Sequence, residues 1–524
     1  MCLLVAAIVS GPLSREARKE NLPNMAQTTQ TTFNLLKPLK EDYGVIKNFV
    51  DGEWVEVKTD RYLDIINPAT AKSIGKVPLT PKAEVDKAIK AAHDAFWDWR
   101  STPPIVRSRY LFKMKELLEQ HFEEFARITV QEHGKAIDEA RGEVRRSIEN
   151  VETAAGITSL MMGYNLEDGA AKNIDETVVR QPLGVFAAVS PFNFPGMVPF
   201  WFWPFAIAAG NTFIIKVSEQ TPLTLTRTYE VLAEAGLPEG VLSLVHGDKE
   251  AVDAILDSPL VKGVTFVGST PVAKYIYSRC GETGKRCIAQ AGAKNFLTVM
   301  PDAEIDRSIS NMMASFFGNA GQRCLAGANL LAVGDIYDEL KEKFVAAAKK
   351  LKVGPGLDES VNLGPVISAK SVARIHNYID MAVKQGAEVL LDGRDVVVPG
   401  FEDGYFVGPT VLDKVTPDMT HAKEEIFGPV ASIIRVKDLE EAIKVTNASP
   451  FGNAASIYTQ SGRNARTFWY KVQAGNIGVN IGIAAAMAYF PFAGQKDSFF
   501  GIMHGQGRDA VQFFTDSKVV IARW

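Results

Sequence analysis

The sequence predicts an α/β protein with two parallel-sheet layers, because two stretches of the chain alternate short apolar runs with helical segments. The first stretch spans residues 183–282, and the second begins near residue 290. Apolar strands that alternate with helices are typical of βαβ units on a buried parallel sheet. A chain of 524 residues also exceeds the roughly 250–300 residues at which single cores stop growing, which favours two or three domains.

The chain opens with an apolar segment, "MCLLVAAIVSG", that is too short to span a bilayer and lacks a basic leader. Three basic side chains within residues 15–19 fit a mitochondrial presequence, and Met25 fits an alternative start site. Both interpretations of residues 1–24 stay open. We expect residues 1–40 to form a flexible extension outside the folded body.

A hairpin and a helical region come next. Alternation around Asp51-Gly52 in "VIKNFVDGEWVE" predicts the hairpin. Helical periodicity then runs over about residues 81–162, with breaks near Pro103-Pro104 and Gly134. One buried helical stripe is predicted from the spacing of Val144, Ile148, Val151 and Ala155.

The two predicted sheets meet near residues 288–295. Apolar runs mark strands of the first sheet at residues 183–191, 210–218, 240–247 and 263–270, and of the second at 295–300, 329–334, 387–393 and 431–436. The apolar run 197–210 contains two prolines and is predicted to be buried core. The polar stretch 173–184 is a candidate for a subunit contact.

The net charge and the pattern of cysteines and histidines argue against some classes of binding partner. The net charge is −4 with no basic stripe, so we expect neither nucleic acid nor a membrane surface as a partner. Four cysteines without a C-x-x-C pair indicate a reducing compartment, and the cytoplasm is the predicted location, or the mitochondrial matrix if residues 1–24 are a presequence. The histidines lack metal-ligand spacing, so no metal is expected.

Two segments indicate a nucleotide site. In "TFVGSTPVAKYI" a strand ends before Ser269, which can cap a helix whose free N–H groups would face an anion. Lys216 and Glu219 follow the strand "TFIIK", where a carboxylate could accept hydrogen bonds from a ribose diol. Each segment alone also fits an ordinary structural joint or loop, since the G-x-G-x-x-G fingerprint is absent.

The stretch "GNAGQRCLAGA" places Cys324 among small residues, directly after Arg323. Small residues allow close approach of a ligand, and a neighbouring cation favours the thiolate. Cys324 is therefore a candidate nucleophile, although a lone cysteine is more often a structural residue.

Seven motifs in one order resemble the aldehyde dehydrogenase superfamily over residues 44–524. Within it, the sequence is most similar to the coenzyme A-dependent methylmalonate-semialdehyde (malonate-semialdehyde) dehydrogenases, through "RRSIENVETAAG", "SLMMG", "DSFFG" and "VVIARW". The seven motifs are "SPFNFP" (190–195), "GNTFIIKVSEQTP" (210–222), "FVGST" (266–270), "QAGAKN" (290–295), "GQRC" (321–324), "KEEIFGPV" (423–430) and "FPFAGQKDSFFG" (490–501).

The resemblance implies an aldehyde dehydrogenase-like fold of two Rossmann-like parallel-sheet domains plus an oligomerisation arm, in a homodimer or homotetramer. The implied NAD-binding domain covers residues 44–163 and 182–290, and the catalytic domain covers residues 291–488. The arm and C-terminal segment would be residues 164–181 and 489–524.

The resemblance also implies the catalytic roles. Cys324 would attack the aldehyde to form a thiohemiacetal, and Asn193 with the Cys324 backbone N–H would hold the alkoxide. Arg146 and Arg323 would bind the substrate carboxylate. By helix geometry alone Arg146 would lie on a solvated face, and the adjacent Arg145 is the alternative if the correspondence slips by one residue.

For the cofactor, the resemblance implies NAD. Lys216 and Glu219 would meet the adenosine ribose, Ser269 the pyrophosphate, and Glu425 the nicotinamide ribose. Ala273 replaces a glycine that many relatives carry, and both residues are small. The full set of implied cofactor contacts is Ser190, Phe192, Lys216, Glu219, Gln220, Ser269, Ala291, Glu425 and Phe427.

Gln290 is the informative departure, because hydrolytic members carry a glutamate there as the general base for water. An amide cannot accept a proton at neutral pH, so the acyl-Cys324 thioester would pass to a thiol, which fits coenzyme A as co-substrate. Another carboxylate could still activate water.

The implied activity is the NAD-dependent, coenzyme A-acylating oxidation of methylmalonate semialdehyde to propionyl-CoA, or of malonate semialdehyde to acetyl-CoA, with loss of CO₂. Such a reaction belongs to valine and pyrimidine breakdown or to inositol breakdown. The alternatives are a hydrolytic dehydrogenase for another semialdehyde, such as succinate semialdehyde, and a non-catalytic binding or structural protein that kept the fold.

Overall fold

The structure, a computed structural model, describes residues 33–524. Its strands, in chain order, are β1 (Asn48–Val50), β2 (Glu53–Val55), β3 (Tyr62–Asn67), β4 (Lys72–Pro78), β5 (Tyr164–Leu166), β6 (Ile174–Pro182), β7 (Val185–Val189), β8 (Thr212–Lys216), β9 (Leu242–Val245), β10 (Val261–Val267), β11 (Arg286–Gln290), β12 (Asn295–Val299), β13 (Gly327–Val333), β14 (Glu388–Leu391), β15 (Thr410–Asp413), β16 (Val430–Val436), β17 (Phe451–Gly452), β18 (Ala454–Tyr458), β19 (Asn476–Val479), β20 (Gln495–Lys496), β21 (Phe499–Gly501) and β22 (Thr515–Arg523).

The helices confirm the predicted breaks near Pro103-Pro104 and Gly134. In chain order they are α1 (Lys82–Ser101), α2 (Pro104–Gln120), α3 (Phe122–His133), α4 (Ile137–Ala155), α5 (Trp203–Ala209), α6 (Leu223–Ala233), α7 (Lys249–Asp257), α8 (Thr270–Glu282), α9 (Ile305–Phe317), α10 (Tyr337–Ala348), α11 (Ala369–Lys384), α12 (Thr420–Lys423), α13 (Leu439–Ala448), α14 (Gly462–Lys471) and α15 (Gly507–Phe514).

The first sheet has the strand order β2-β1-β9-β8-β7-β10-β11-β21. Its central strands β9, β8, β7, β10 and β11 are parallel, which confirms the predicted βαβ units. The chain order reverses between β7 and β10, and open α/β sheets bind ligands at the carboxyl ends of the strands beside such a reversal. The predicted hairpin at Asp51-Gly52 joins β1 to β2.

Side chains of this sheet alternate between two cores, as strand geometry requires. In β7, Phe186 and Ala188 pack against one cluster with α2, α4 and α5, whereas Val185, Ala187 and Val189 pack against the other with α1, α7 and α8. The predicted stripe on α4, from Val144 to Ala155, lies fully within the first cluster. The run 197–210 is buried there too, as predicted.

The second sheet has the strand order β14-β15-β16-β13-β12-β18-β19. All neighbours are parallel except the edge pair β14 and β15. With the first sheet it confirms the predicted fold class. The chain passes from the first sheet to the second between Gln290, where β11 ends, and Asn295, where β12 begins.

A separate three-stranded antiparallel sheet, β22-β6-β5, joins the polar stretch 173–184 to the C-terminal strand. Near the N-terminus, the backbone N–H of Leu36 donates to Leu357 O at 2.9 Å, and that of Asn34 donates to Asp358 Oδ2 at 2.7 Å. The extension predicted over residues 1–40 is therefore too long at its C-terminal end, because hydrogen bonds hold residues 34–36. The expectations for residues 1–24 lie outside the described residues.

The two main sheets face each other end to end. Asn193 follows the carboxyl end of β7, and its side-chain amide bonds to Gln322, which precedes the amino end of β13. Between residues 33 and 524, no helix has the length and apolar character that a bilayer crossing requires.

We expect Phe186→Ala to lower the free energy of unfolding by about 3–5 kcal/mol, because the ring is fully buried against Phe513 and Phe514. The matched control is Phe112→Ala, since Phe112 on α2 is 57% exposed. Urea unfolding followed by tryptophan fluorescence measures both. Equal losses for the two variants would contradict the assigned core.

Candidate active site

Cys324 lies on a loop between α9 and β13 whose backbone conformation is left-handed at three consecutive residues. These are Asn319 (φ 55°), Ala320 (φ 51°) and Gly321 (φ 70°). A Cβ on Gly321 would come within 2.1 Å of the Gly428 carbonyl oxygen, so only glycine fits there. The loop is thus locally strained and held by its surroundings.

Two side-chain amides fix the backbone of Cys324. Asn295 Nδ2 and Asn453 Nδ2 donate to the Cys324 carbonyl oxygen at 2.8 and 2.7 Å. Both asparagines belong to the amino-terminal edge of the second sheet, at β12 and β18. This sheet edge therefore sets the position of the nucleophile.

Burial, together with the nearby Glu425 carboxylate, raises the pKa of the Cys324 thiol to about 12. Arg323 lowers the same pKa, as predicted, but it does not outweigh burial. The backbone N–H groups of Cys324 and Leu325 also favour the thiolate. The balance of these effects favours the thiol over the thiolate.

Asn193 is buried on the opposite side of the same loop. Its Nδ2 donates to the Gln322 carbonyl oxygen at 3.0 Å, and its own carbonyl oxygen accepts from Lys135 Nζ at 2.8 Å and from Asn319 Nδ2 at 3.2 Å. An amide nitrogen carries two hydrogens, so one N–H of Asn193 is not used by this bond. Asn193 itself is not among the residues that line the cavity next to Cys324.

A cavity of about 240 Å³ opens onto Cys324. It brings together Cys324, Arg146 and Arg323, the three residues that the sequence assigned to nucleophile and substrate. Its remaining lining is mostly apolar, with the aromatic and aliphatic side chains of Phe194, Met197, Trp201, Leu325, Ile483 and Phe492. A small substrate with one anionic group fits such a cavity.

Both cavity arginines already contact a carboxylate. Arg323 Nη2 lies 3.3 Å from Glu139 Oε1, and Arg146 Nη1 lies 2.9 Å from Glu149 Oε2. Arg145 instead pairs with Glu119 at 2.7 Å and does not line the cavity. The structure thus places Arg146, and not its neighbour, at the cavity wall.

Gln290 ends β11 and is buried. Its Nε2 donates to the Phe492 carbonyl oxygen at 3.1 Å, and its Oε1 has no partner among residues 33–524. The two carboxylates that line the cavity are both engaged: Glu139 accepts from Asn319 N at 2.6 Å, and Glu143 accepts from Lys135 Nζ at 2.6 Å.

The carboxyl ends of β7, β8 and β10 carry four of the predicted cofactor contacts. Lys216 Nζ donates to Glu219 Oε2 at 2.9 Å, and Ser269 caps α8 without a side-chain hydrogen bond to it. The Ser190 hydroxyl is buried and has no hydrogen-bond partner among the described residues. Free hydroxyls beside a helix N-terminus fit a pyrophosphate, and the Lys216–Glu219 pair fits a ribose diol. These residues fit NAD.

Glu425 and Phe427 are the residues predicted to meet the nicotinamide end of NAD, and Phe192 is a further predicted cofactor contact. The Phe192 and Phe427 rings pack edge to face at 5.8 Å between centroids. Glu425 Oε1 accepts from the Ala293 N–H at 3.0 Å, and burial raises the pKa of this carboxyl to about 7.

Two of the predicted cofactor contacts, Gln220 and Ala291, are less well placed to hydrogen-bond to NAD. The Gln220 side chain is exposed, and the Ala291 N–H already donates to the Ser498 carbonyl oxygen at 2.9 Å. Ala273 belongs to α8 and is fully buried. Within the described residues, no group of three metal-ligating side chains gathers near these contacts or elsewhere.

Sequence reasoning missed the residues that support the site, namely Glu139, Lys135, Glu143, Asn295 and Asn453. Glu139 and Glu143 are four residues apart on α4, on the face that also carries Arg146. The available signal was that Glu139 and Glu143 are charged and lie at helical spacing from Arg146, a predicted site residue. No comparable pattern marks Asn453.

The comparisons with known proteins agree with this geometry. The model of the "Aldehyde dehydrogenase family" matches residues 54–520. The chain belongs to the aldehyde dehydrogenase family, which confirms the resemblance drawn from its motifs.

The individual proteins that resemble this chain belong to a narrower group within the family. Malonate-semialdehyde dehydrogenase 2 of Geobacillus kaustophilus is 49% identical over 480 residues, which cover 91% of this chain and 99% of that protein. The methylmalonate-semialdehyde dehydrogenase of Oceanimonas doudoroffii superposes with a TM-score of 0.90 at 44% identity, over 92% of this chain and 98% of that one. A Sinorhizobium meliloti 1021 protein assigned as a methylmalonate-semialdehyde dehydrogenase, solved with NAD, has a TM-score of 0.90 at 40% identity, over 92% and 98% of the two chains.

We expect Glu425→Gln to speed alkylation of Cys324 by iodoacetamide at pH 8, because removing the carboxylate lowers the pKa of the thiol and raises the thiolate fraction. The increase should shrink below about pH 7, where Glu425 of the unmodified protein is itself protonated. The control is Glu424→Gln, since Glu424 is exposed and bonds to Tyr378. A rate unchanged by Glu425→Gln would contradict the coupling.

Proposed function

We propose that the protein catalyses NAD-dependent, coenzyme A-acylating oxidation of malonate semialdehyde or methylmalonate semialdehyde, yielding acetyl-CoA or propionyl-CoA and CO₂. The observation that carries the proposal is one cavity with a cysteine thiol, two arginines and no free carboxylate. The named relatives support the choice of substrate.

Arg146 and Arg323 would hold the substrate carboxylate. An arginine binds a carboxylate through a planar pair of N–H groups, which suits a short semialdehyde anchored at its acid end. Each arginine can share donors between the substrate and its present partner, Glu149 or Glu139. The aldehyde carbon would then lie next to Cys324.

Acylation would begin when the Cys324 thiol loses its proton to solvent and the resulting thiolate adds to the aldehyde carbon, which moves negative charge onto the oxygen. Asn193 Nδ2 and the Cys324 backbone N–H would donate to that oxygen. Bound NAD⁺ supplies the acceptor for the hydride that leaves the same carbon. Loss of the hydride converts the thiohemiacetal into a thioester on Cys324.

Loss of CO₂ follows from the chemistry of that thioester. The substrate carboxylate is β to the thioester carbonyl, so the bond between the carboxylate carbon and the α-carbon can break, with its electron pair moving into an enolate of the thioester. The donors that held the alkoxide would stabilise the enolate oxygen. A proton added to the enolate carbon gives an acetyl or propionyl group on Cys324.

Release of the acyl group would then require a thiol. Gln290 cannot take a proton from water, and Glu139 and Glu143 are occupied by donors. A coenzyme A thiolate can attack the thioester without help from such a base, and the Cys324 thiolate leaves. Acyl transfer to a thiol is therefore favoured over hydrolysis by water.

The arm would join subunits into a homodimer or homotetramer. Strand β22 lies at an edge of its sheet and exposes Val519, Ile521 and Trp524, and such an edge is suited to pairing with another chain. A reducing compartment, and hence the cytoplasm, suits an enzyme whose nucleophile and co-substrate are both thiols.

Steady NADH formation from malonate semialdehyde and NAD⁺ should depend on coenzyme A, because Gln290 cannot act as the base that activates water. Without coenzyme A we expect a burst of about one NADH per active site and then slow turnover. Absorbance at the NADH band measures both phases. Rapid steady turnover without coenzyme A, giving free acetate, would favour the hydrolytic alternative, and no burst at all would favour a non-catalytic protein.

Arg146→Ala should reduce kcat/KM for malonate semialdehyde by about 10²-fold, a loss on the scale of a hydrogen-bonded charge contact of 2–3 kcal/mol. Activity toward propanal, which has no carboxylate, should change far less. Arg145→Ala is the matched control, since Arg145 faces Glu119 instead of the cavity. Equal losses for both aldehydes would remove Arg146 from carboxylate recognition.

A further inference from the structure

A buried ion pair lies directly beneath the loop that carries Asn193. Lys135 Nζ is 2.6 Å from Glu143 Oε2, and neither side chain is exposed to solvent. Removing two charges from water costs free energy that their attraction often fails to recover, and apolar residues of similar volume pack as well. The further contacts of the pair therefore need an explanation.

Both charges hold the backbone of the Asn193–Met197 segment. Lys135 Nζ donates to the Asn193 carbonyl oxygen at 2.8 Å. Glu143 Oε1 accepts from the N–H groups of Gly196 and Met197 at 2.8 and 3.0 Å. Pro195, between these contacts, has no N–H, so side chains must satisfy the segment's polar groups.

The Asn193 carbonyl oxygen also links Lys135 to the loop that carries Cys324. Asn319, on the left-handed stretch before Cys324, also donates to the Asn193 carbonyl oxygen, at 3.2 Å. The Lys135 ammonium lies 4.0 Å from the centre of the Phe194 ring, and the Arg323 guanidinium lies 5.7 Å from the same centre. Lys135 therefore contacts both Asn193, through its carbonyl oxygen, and Phe194, through its ring.

We propose that Lys135 and Glu143 are positioning residues for the oxyanion site. They fix the backbone from which the Asn193 amide projects, so that its second N–H meets the alkoxide formed when Cys324 attacks. They act through Asn193 and not on the reacting carbon. The inference rests on the proposed function, since it concerns the acylation step of that reaction.

Lys135→Met tests the role, because methionine keeps much of the length and volume but removes the charge and the donor. We expect the rate of the NADH burst to fall by about 10²-fold, the loss seen when one oxyanion donor is misplaced. Alkylation of Cys324 by iodoacetamide builds no oxyanion and should keep its wild-type rate. A burst rate equal to wild type, or equal losses in both rates, would overturn the proposal.

The double variant Lys135→Met/Glu143→Leu separates positioning from stability. An apolar pair leaves no unpaired buried charge, so the melting temperature should recover relative to Lys135→Met while the burst stays slow. Recovery of the burst together with the melting temperature would overturn the proposal. Glu119→Gln, which alters an exposed pair on α2, is the control and should leave the burst unchanged.

Glu143→Gln keeps an acceptor for the segment and is the mild variant if the others do not fold. It places an amide beside the Lys135 ammonium, and we expect a slower burst with normal alkylation; a wild-type burst would contradict the role. Failure of the wild-type protein to show any burst would contradict the proposed function, whereas a wild-type burst that survives these substitutions contradicts only the positioning role.

Discussion

The hydrogen bonds around the Cys324 loop are the constraint on which the site depends. The amino-terminal edge of the second sheet holds the Cys324 carbonyl oxygen through Asn295 and Asn453. The carboxyl-terminal edge of the first sheet holds the Gln322 carbonyl oxygen through Asn193. The proposed nucleophile and the proposed oxyanion donor are therefore held by different sheets, and their distance is set where the two sheets meet.

This arrangement separates the residues proposed to bind the substrate from those proposed to bind the cofactor. The residues proposed to hold NAD follow the carboxyl ends of β7, β8 and β10. The cavity with Arg146 and Arg323 opens on the side of α4. One helix, α4, supplies Glu139, Glu143 and Arg146, so the proposed carboxylate site and two residues that contact the Asn193 and Cys324 loops share one element.

The fold could largely be predicted from the sequence, because apolar runs of strand length and helical stripes such as Val144 to Ala155 report burial directly. The site required the family resemblance, since Arg146 alone fits a solvated helix face. The supporting residues were not predictable. Lys135 and Glu143 are charged residues whose complete burial depends on contacts with residues about 50–60 positions further along the chain, and no local pattern encodes such contacts. Arg323 was expected to favour the thiolate, and it does, yet burial dominates the pKa of Cys324.

The central claim is that an acyl group waits on Cys324 until a thiol removes it. Mass spectrometry of the protein, quenched after mixing with NAD⁺ and malonate semialdehyde without coenzyme A, tests this most directly. The account predicts one acetyl group on the peptide that contains Cys324, which disappears as acetyl-CoA forms when coenzyme A is added. An unmodified Cys324 accompanied by NADH and free acetate would contradict it.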